Sequence, residues 1–101
     1  MNTDRIYYTY LVQVREGKYE AFQDYESKVL PLLPRHGGKL EIRLQVRKTG
    51  PQQPDEIHVI SFPSAGDMEA YRHDPERLQY AYFFHEAVEF ATLIEGYSLL
   101  P

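Results

Sequence analysis

The sequence predicts an α+β fold in which four antiparallel strands form one sheet and two helical segments cover one of its faces. Three observations predict it. Apolar residues recur with a period of two or of a helical turn in the order strand, helix, strand, strand, helix, strand. The junction Val29-Leu30-Pro31-Leu32-Leu33-Pro34-Arg35-His36-Gly37-Gly38-Lys39-Leu40 runs from an amphipathic helix through a paired-glycine stop into a strand. The chain has 101 residues, a single-domain length, with no internal linker, low-complexity tract or short tandem repeat. Residues 1–101 therefore read as one domain.

Ile6 to Val14 is the first strand, rich in tyrosine and β-branched residues and free of Gly and Pro. Ile6, Tyr8, Tyr10, Val12 and Val14 share one face; Tyr7, Thr9, Leu11 and Gln13 share the other. Both faces carry apolar groups, so the strand is expected to be covered on both sides, less completely on the second. Arg15-Glu16-Gly17 is a turn, and a helix follows from about Lys18. Phe22, Tyr25, Val29, Leu32 and Leu33 give it one apolar stripe, with Lys18, Glu20, Asp24 and Lys28 off it. Pro31 cannot donate a backbone hydrogen bond and crowds the preceding turn, so the helix must kink or restart there. Gly37-Gly38 ends it, one of the two taking the left-handed conformation of a helix C-cap. Arg35 and His36 then fall in the last turn, where cations suit the helix dipole, and His36 and His73, both at helix ends, are expected to be solvated caps.

Residues 39–47 alternate cleanly. Leu40, Ile42, Leu44 and Val46 lie on one face, and Glu41, Arg43, Gln45 and Arg47 on the other. The polar, proline-bearing loop 48–55 connects this strand to a third, Glu56 to Phe62, which Pro63-Ser64 breaks. Ser64, with Asp67 three residues on, caps a short helix over 65–73. Asp74-Pro75-Glu76 restarts it, with Asp74 as cap and Pro75 in the first turn. Leu78, Ala81, Tyr82, His85 and Val88 or Glu89 mark the core-facing stripe of that helix, and residues 90–98 form the last strand.

Two strand-helix-strand halves of this size give the ferredoxin-like βαββαβ arrangement. The face of the sheet without helices still carries too many Tyr, Leu, Ile and Phe side chains to stay wet. Packing two sheets face to face about a two-fold axis buries them, so a homodimeric barrel is expected.

Composition narrows the function. The chain has no cysteine, which removes disulfides, thiolate chemistry and cysteine metal sites. Eleven basic and 15 acidic residues give a formal charge of −4, which argues against nucleic acid as a partner. Neither a signal-peptide pattern at Met1-Asn2-Thr3-Asp4-Arg5 nor a run of ~20 apolar residues is present, so no membrane partner and a cytoplasmic location are expected. The four histidines, His36, His58, His73 and His85, have no metal-ligand spacing, and no nucleophile elbow or phosphate-binding glycine loop occurs. No metal and no cofactor are expected.

The order of elements resembles the dimeric α/β-barrel superfamily. Within it, Leu30-Pro31-Leu32-Leu33 followed by His36-Gly37-Gly38-Lys39-Leu40 resembles the NIPSNAP-like proteins. Residues 55–64, together with Asp74-Pro75-Glu76, are similar to small bacterial members of unknown function. The resemblance covers nearly the whole chain. It implies a fold, but the superfamily spans cofactor-free quinone-forming monooxygenases, haem-degrading enzymes, lactone isomerases and members without known activity. Haem-degrading members carry a histidine in the second helical region, where this chain has His85; their other pocket residues have no clear match here, and this chain has no tryptophan.

The site is therefore read residue by residue. His85 shares its stripe with Leu78, Ala81 and Tyr82 and is the first candidate for a proton carrier in a pocket between sheet and helices; the alternative is a partly buried histidine bonded to a neighbour. His58 shares a strand face with Ile60 and Phe62 and is the second catalytic candidate, or else a hydrogen-bonded core or interface histidine. Arg43 is central on the polar face of the second strand, where it could hold a carboxylate or enolate or form a cross-strand or intersubunit ion pair. Nine tyrosines are many for this length. Tyr8, Tyr10, Tyr82 and Phe84 either line a pocket for a flat, mainly apolar molecule or form core and dimer seam. Tyr10, Arg43, Tyr82 and His85 are the ligand-binding candidates. Two functions fit: a cofactor-free monooxygenase- or isomerase-like protein acting on a small metabolite, and a non-catalytic dimeric module that binds a ligand or another protein.

Overall fold

Strand β1 (Ile6–Val14) forms the middle of the sheet, hydrogen-bonded on one side to β3 (Glu56–Phe62) and on the other to β4 (Val88–Tyr97). Strand β2 (Lys39–Gln45) lies beyond β3, so the order is β2-β3-β1-β4, with every pair antiparallel. This computed structural model describes residues 4–100. Helix α1 (Tyr19–Val29) leads into a 3₁₀ helix (Leu30–His36), and α2 (Ala65–Arg72), α3 (Pro75–Leu78) and α4 (Ala81–Ala87) connect β3 to β4. The shortest dimension is 16 Å, which fits one sheet and one layer of helices.

Pro31 acts as the sequence predicts: the α-helix stops at Val29 and continues as 3₁₀ turns with the proline near their start. Gly37 closes that segment at φ +73°, its N–H meeting the Pro34 carbonyl at 3.1 Å while the Gly38 N–H meets that of Leu33 at 2.8 Å. Gly38 is required for a different reason. A Cβ there would stand 2.7 Å from Cε1 of Phe62, so the chain passes the core ring too closely for any side chain.

Strand parity decides what points under the helices. Ile6, Tyr8 and Val12 of β1, and Glu56, His58, Ile60 and Phe62 of β3, are buried on the helix face. The 3₁₀ helix and α2 cover one end through Leu32, Leu33, Met68 and Tyr71; α1 and α4 cover the other through Phe22, Tyr25, Val29 and Ala87. Tyr10 packs against both groups.

Two expectations are corrected here. A bulge between Leu40 and Ile42 breaks the alternation of β2, pairing Leu40 with Ile60 but Ile42 with Val59 and Arg43 with His58. Leu40 is thereby split from Ile42 and Leu44, which join the open face, and Arg43 points beneath α1. The second correction concerns α3 and α4. A turn at Gln79 and Tyr80 interrupts the helix, so a stripe counted on from Leu78 loses phase. Leu78 and Tyr82 are 48% and 65% exposed, and Ala81 is half-buried, while Phe84 packs on the core and Ala87 is fully buried.

The open face remains apolar. Ile42, Leu44, Phe90 and Ile94 are each about half exposed on it. Among the described residues no helix is long and apolar enough to cross a membrane.

Candidate functional site

Three elements bring charged groups together beneath α1. Glu56 and His58 are two residues apart on β3, hence on the same face. Arg43 enters from β2 opposite His58. Gln23 and Glu26 descend from α1, three residues apart on the side that also buries Phe22. Glu56 is the hub. It accepts from Nε of Arg43 at 2.9 Å, from the amide of Gln23 at 2.6 Å and from the hydroxyl of Tyr19. The Gln23 carbonyl in turn accepts from Nη2 of Arg43 at 2.6 Å. Burial alone would raise the Glu56 pKa, but the hydrogen bonds from Tyr19, His58, Arg43 and Gln23 outweigh it and hold the carboxyl at about 2. Glu56 is thus a fixed anion.

The His58 ring lies between two carboxylates. Nε2 is 2.6 Å from Glu56 Oε1, and Nδ1 is 3.6 Å from Glu26 Oε2. Burial lowers the His58 pKa, against the raising effect of Glu56 and with the help of Arg43. A neutral imidazole beside a permanent anion keeps its proton on Nε2 and donates it to Glu56, which leaves Nδ1 as the basic nitrogen facing Glu26. Phe22 stacks on the ring, with centroids 6.0 Å apart. Glu26 is driven the other way. Burial pushes its carboxyl up to about 7, Arg43 and Arg77 opposing the rise and Glu56 adding to it. The pair is a carboxyl poised to gain or lose a proton near neutrality and a base held in one tautomer.

Glu26 and His58 also line a cavity of about 40 Å³ between α1 and the sheet, together with Tyr10, Tyr25, Tyr71, Arg77 and Phe84. The hydroxyl of Tyr71 donates to the Val29 carbonyl at 3.2 Å, and burial pushes the Tyr25 pKa up to about 12. Tyr10, Leu30, Arg77 and Phe84 are the partly exposed residues of the lining and mark its mouth. Among the described residues no group of three His, Asp or Glu side chains is arranged to hold a metal ion.

No protein-family model and no curated protein matches the chain. Solved structures do. A protein of unknown function from Rhodopseudomonas palustris is 25% identical, with a TM-score of 0.82 over 99% of this chain and 86% of that one. A dimeric protein of unknown function and ferredoxin-like fold from Bacteroides fragilis is 14% identical, with a TM-score of 0.74 over 93% and 96% of the two chains. A NIPSNAP family protein of unknown function from Agrobacterium tumefaciens is 19% identical, with a TM-score of 0.72 over 97% and 91%.

The fold is ferredoxin-like. On this ferredoxin-like frame His58 and Tyr10 occupy the cavity wall as their strand faces predict. Arg43 lies next to that wall, but its Nε and Nη2 are committed to Glu56 and Gln23, the cross-strand ion pair of the two alternatives. His85 and Tyr82 are corrected: both are exposed, neither lines the cavity, and the cause is the phase break at Gln79 and Tyr80. Of the four aromatics read as either pocket or core, Tyr8 is packed in the core against Phe62, whereas Tyr10 and Phe84 line the cavity. His36, expected to be solvated, is half-buried with Nε2 2.7 Å from Asp74, whereas His73 is exposed as predicted.

Glu26, Glu56 and Arg77 are the charged site residues that the sequence pattern did not single out, and Tyr19, Gln23 and Tyr71 join them. Glu56 had a signal in its parity with His58. Glu26 also had one, standing four residues after Phe22 and three before Val29, squarely on the buried stripe. Arg77 had none, because its position depends on where the helix restarts.

Proposed function

We propose that the chain is a homodimer whose cavity binds a small metabolite and moves a proton at His58, in the manner of a cofactor-free isomerase or oxygenase. One observation carries this reading: a buried carboxyl with a pKa near 7 faces the free nitrogen of a buried imidazole across the wall of a cavity. Such a pair can take a proton from carbon beside a carbonyl and return it, without a metal or cofactor. Dimerisation is supported by the apolar open face and by the dimeric state ascribed to the B. fragilis protein. The ligand is flat and mainly apolar, its body held at the partly exposed aromatic Tyr10 and Phe84 of the lining, with only a small polar end reaching Glu26 and His58.

A second reading, a non-catalytic dimeric module, is favoured by the size of the cavity, which is far below the ~300 Å³ of ordinary ligand pockets. Deuterium exchange separates the two. A panel of β-dicarbonyl and aryl ketone compounds in D₂O is expected to include members whose C–H exchange is accelerated by the protein and not by His58→Asn. No acceleration across the panel by a correctly folded dimer favours the module.

A further inference from the structure

Arg77 is charged, lies at the cavity wall and is left incomplete by the rest of the protein. Its guanidinium carbon sits 4.9 Å from the centre of the Tyr71 ring, and one terminal nitrogen donates to the Arg72 carbonyl at 3.3 Å. Its Nε is buried and meets no acceptor among the described residues. No carboxylate of those residues comes within ion-pair distance of it, although Arg35, Arg43 and Arg72 each have one. A partly desolvated cation that has no carboxylate at ion-pair distance and one unmade hydrogen bond is costly, and the cost is removed when an anion completes it.

We propose that Arg77 binds the anionic oxygen of a small organic acid, a carboxylate or an enolate on a flat apolar body. This rests on the reading of the cavity as a small-molecule site and names the chemical class of its ligand. A cavity of about 40 Å³ holds two or three waters. It therefore admits the oxygens of a carboxylate but not a ring. The head group enters beside Arg77, and the body rests at the mouth against the partly exposed Leu30 and Phe84. A single negative charge is what the wall accommodates. Arg77 is the only arginine or lysine in the lining, and Glu26 beside it repels a second charge whenever it is ionised.

The test is a titration of the folded protein with benzoate and with its neutral isostere benzamide, followed through the Nε–H resonances of the arginine side chains. Benzoate is expected to shift the Arg77 resonance and to bind about tenfold or more tightly than benzamide. Arg77→Gln should abolish that preference, and Arg77→Lys, which keeps the charge, should keep part of it. Equal binding of the two probes, a benzoate preference that survives Arg77→Gln, or no binding of benzoate at millimolar concentration would each overturn the assignment. The same titration on His58→Asn separates it from the acid–base reading. A preference retained there belongs to Arg77 whatever the exchange assay shows, and one lost with His58 but not with Arg77 moves the anion to the imidazole and overturns it.

Discussion

Glu26 and Glu56 face one imidazole from its two nitrogens, and their pKa values are driven in opposite directions. Each shift is a statement about stability. Glu26 rises from 4.5 to about 7 on folding, so it holds its proton more tightly when folded. Its contribution is complete below the unfolded value and is lost as the pH climbs through about 7. Glu26→Gln should remove this loss. Urea unfolding at pH 5 and pH 8 is expected to show the wild type weakening by roughly 2–3 kcal/mol relative to the variant; parallel pH dependences would refute it. Glu56 falls from 4.5 to about 2, so its contribution is present above 4.5 and disappears as the pH drops towards 2. Acidification through that window should release the Tyr19 hydroxyl, seen as a change in tyrosine fluorescence that Tyr19→Phe lacks. Much of this site is legible in the sequence. Strand parity places His58 and Glu56 in the core with Ile60 and Phe62, and helical spacing places Glu26 between Phe22 and Val29. A stripe drawn through the apolar residues alone leaves Glu26 unassigned, because pattern does not show that a buried imidazole waits opposite it.

The helix stop at Gly37 and Gly38 and the interruption at Gln79 and Tyr80 show what element-level signals reach and where they fail. Gly37 is left-handed and Gly38 is sterically closed, so alanine should harm both for different reasons. Gly37→Ala is expected to cost about 1 kcal/mol from backbone strain. At Gly38 the methyl group meets Phe62 and the Leu33 carbonyl, and overpacking should cost roughly 1–3 kcal/mol. Chemical denaturation with Gly38→Ala the milder of the two would count against the close approach. The boundaries of β1, β3 and the α3 cap at Asp74 follow directly from β-propensity, from Pro63 and from the Asp-Pro pair. The bulge in β2 and the turn before α4 do not, since each inserts a residue whose only effect on a periodic pattern is to change its phase. That is why the stripe through His85 points to solvent and the alternation through Leu40 changes face.

At the scale of the whole molecule, one covered and one uncovered face make the proposed dimer the natural completion of a layer only 16 Å thick. Ile94 lies opposite Thr9 on the open side, half exposed and remote in register from the buried Glu56. Ile94→Asp should convert a dimer into a folded monomer in sedimentation velocity, with unchanged far-ultraviolet circular dichroism. A dimer that persists would place the contact elsewhere. The open face is legible in the sequence because β1 carries apolar residues at both parities, which a sheet covered on one side alone does not need.

The central place of β1 has a consequence for how the chain comes to be folded. Tyr10 pairs with His58 on one side and Leu93 on the other, so both neighbours of β1 lie far downstream of it in the chain. The β2–β3 hairpin is the one strand pair joined by a single loop, and it can form while β1 still waits. Until β4 arrives, β1 offers a bare row of amide and carbonyl groups to any other chain. Closing the free edge of β1 therefore requires a pairing between strands far apart in the chain, a kind of contact that forms late and leaves the edge exposed in the meantime.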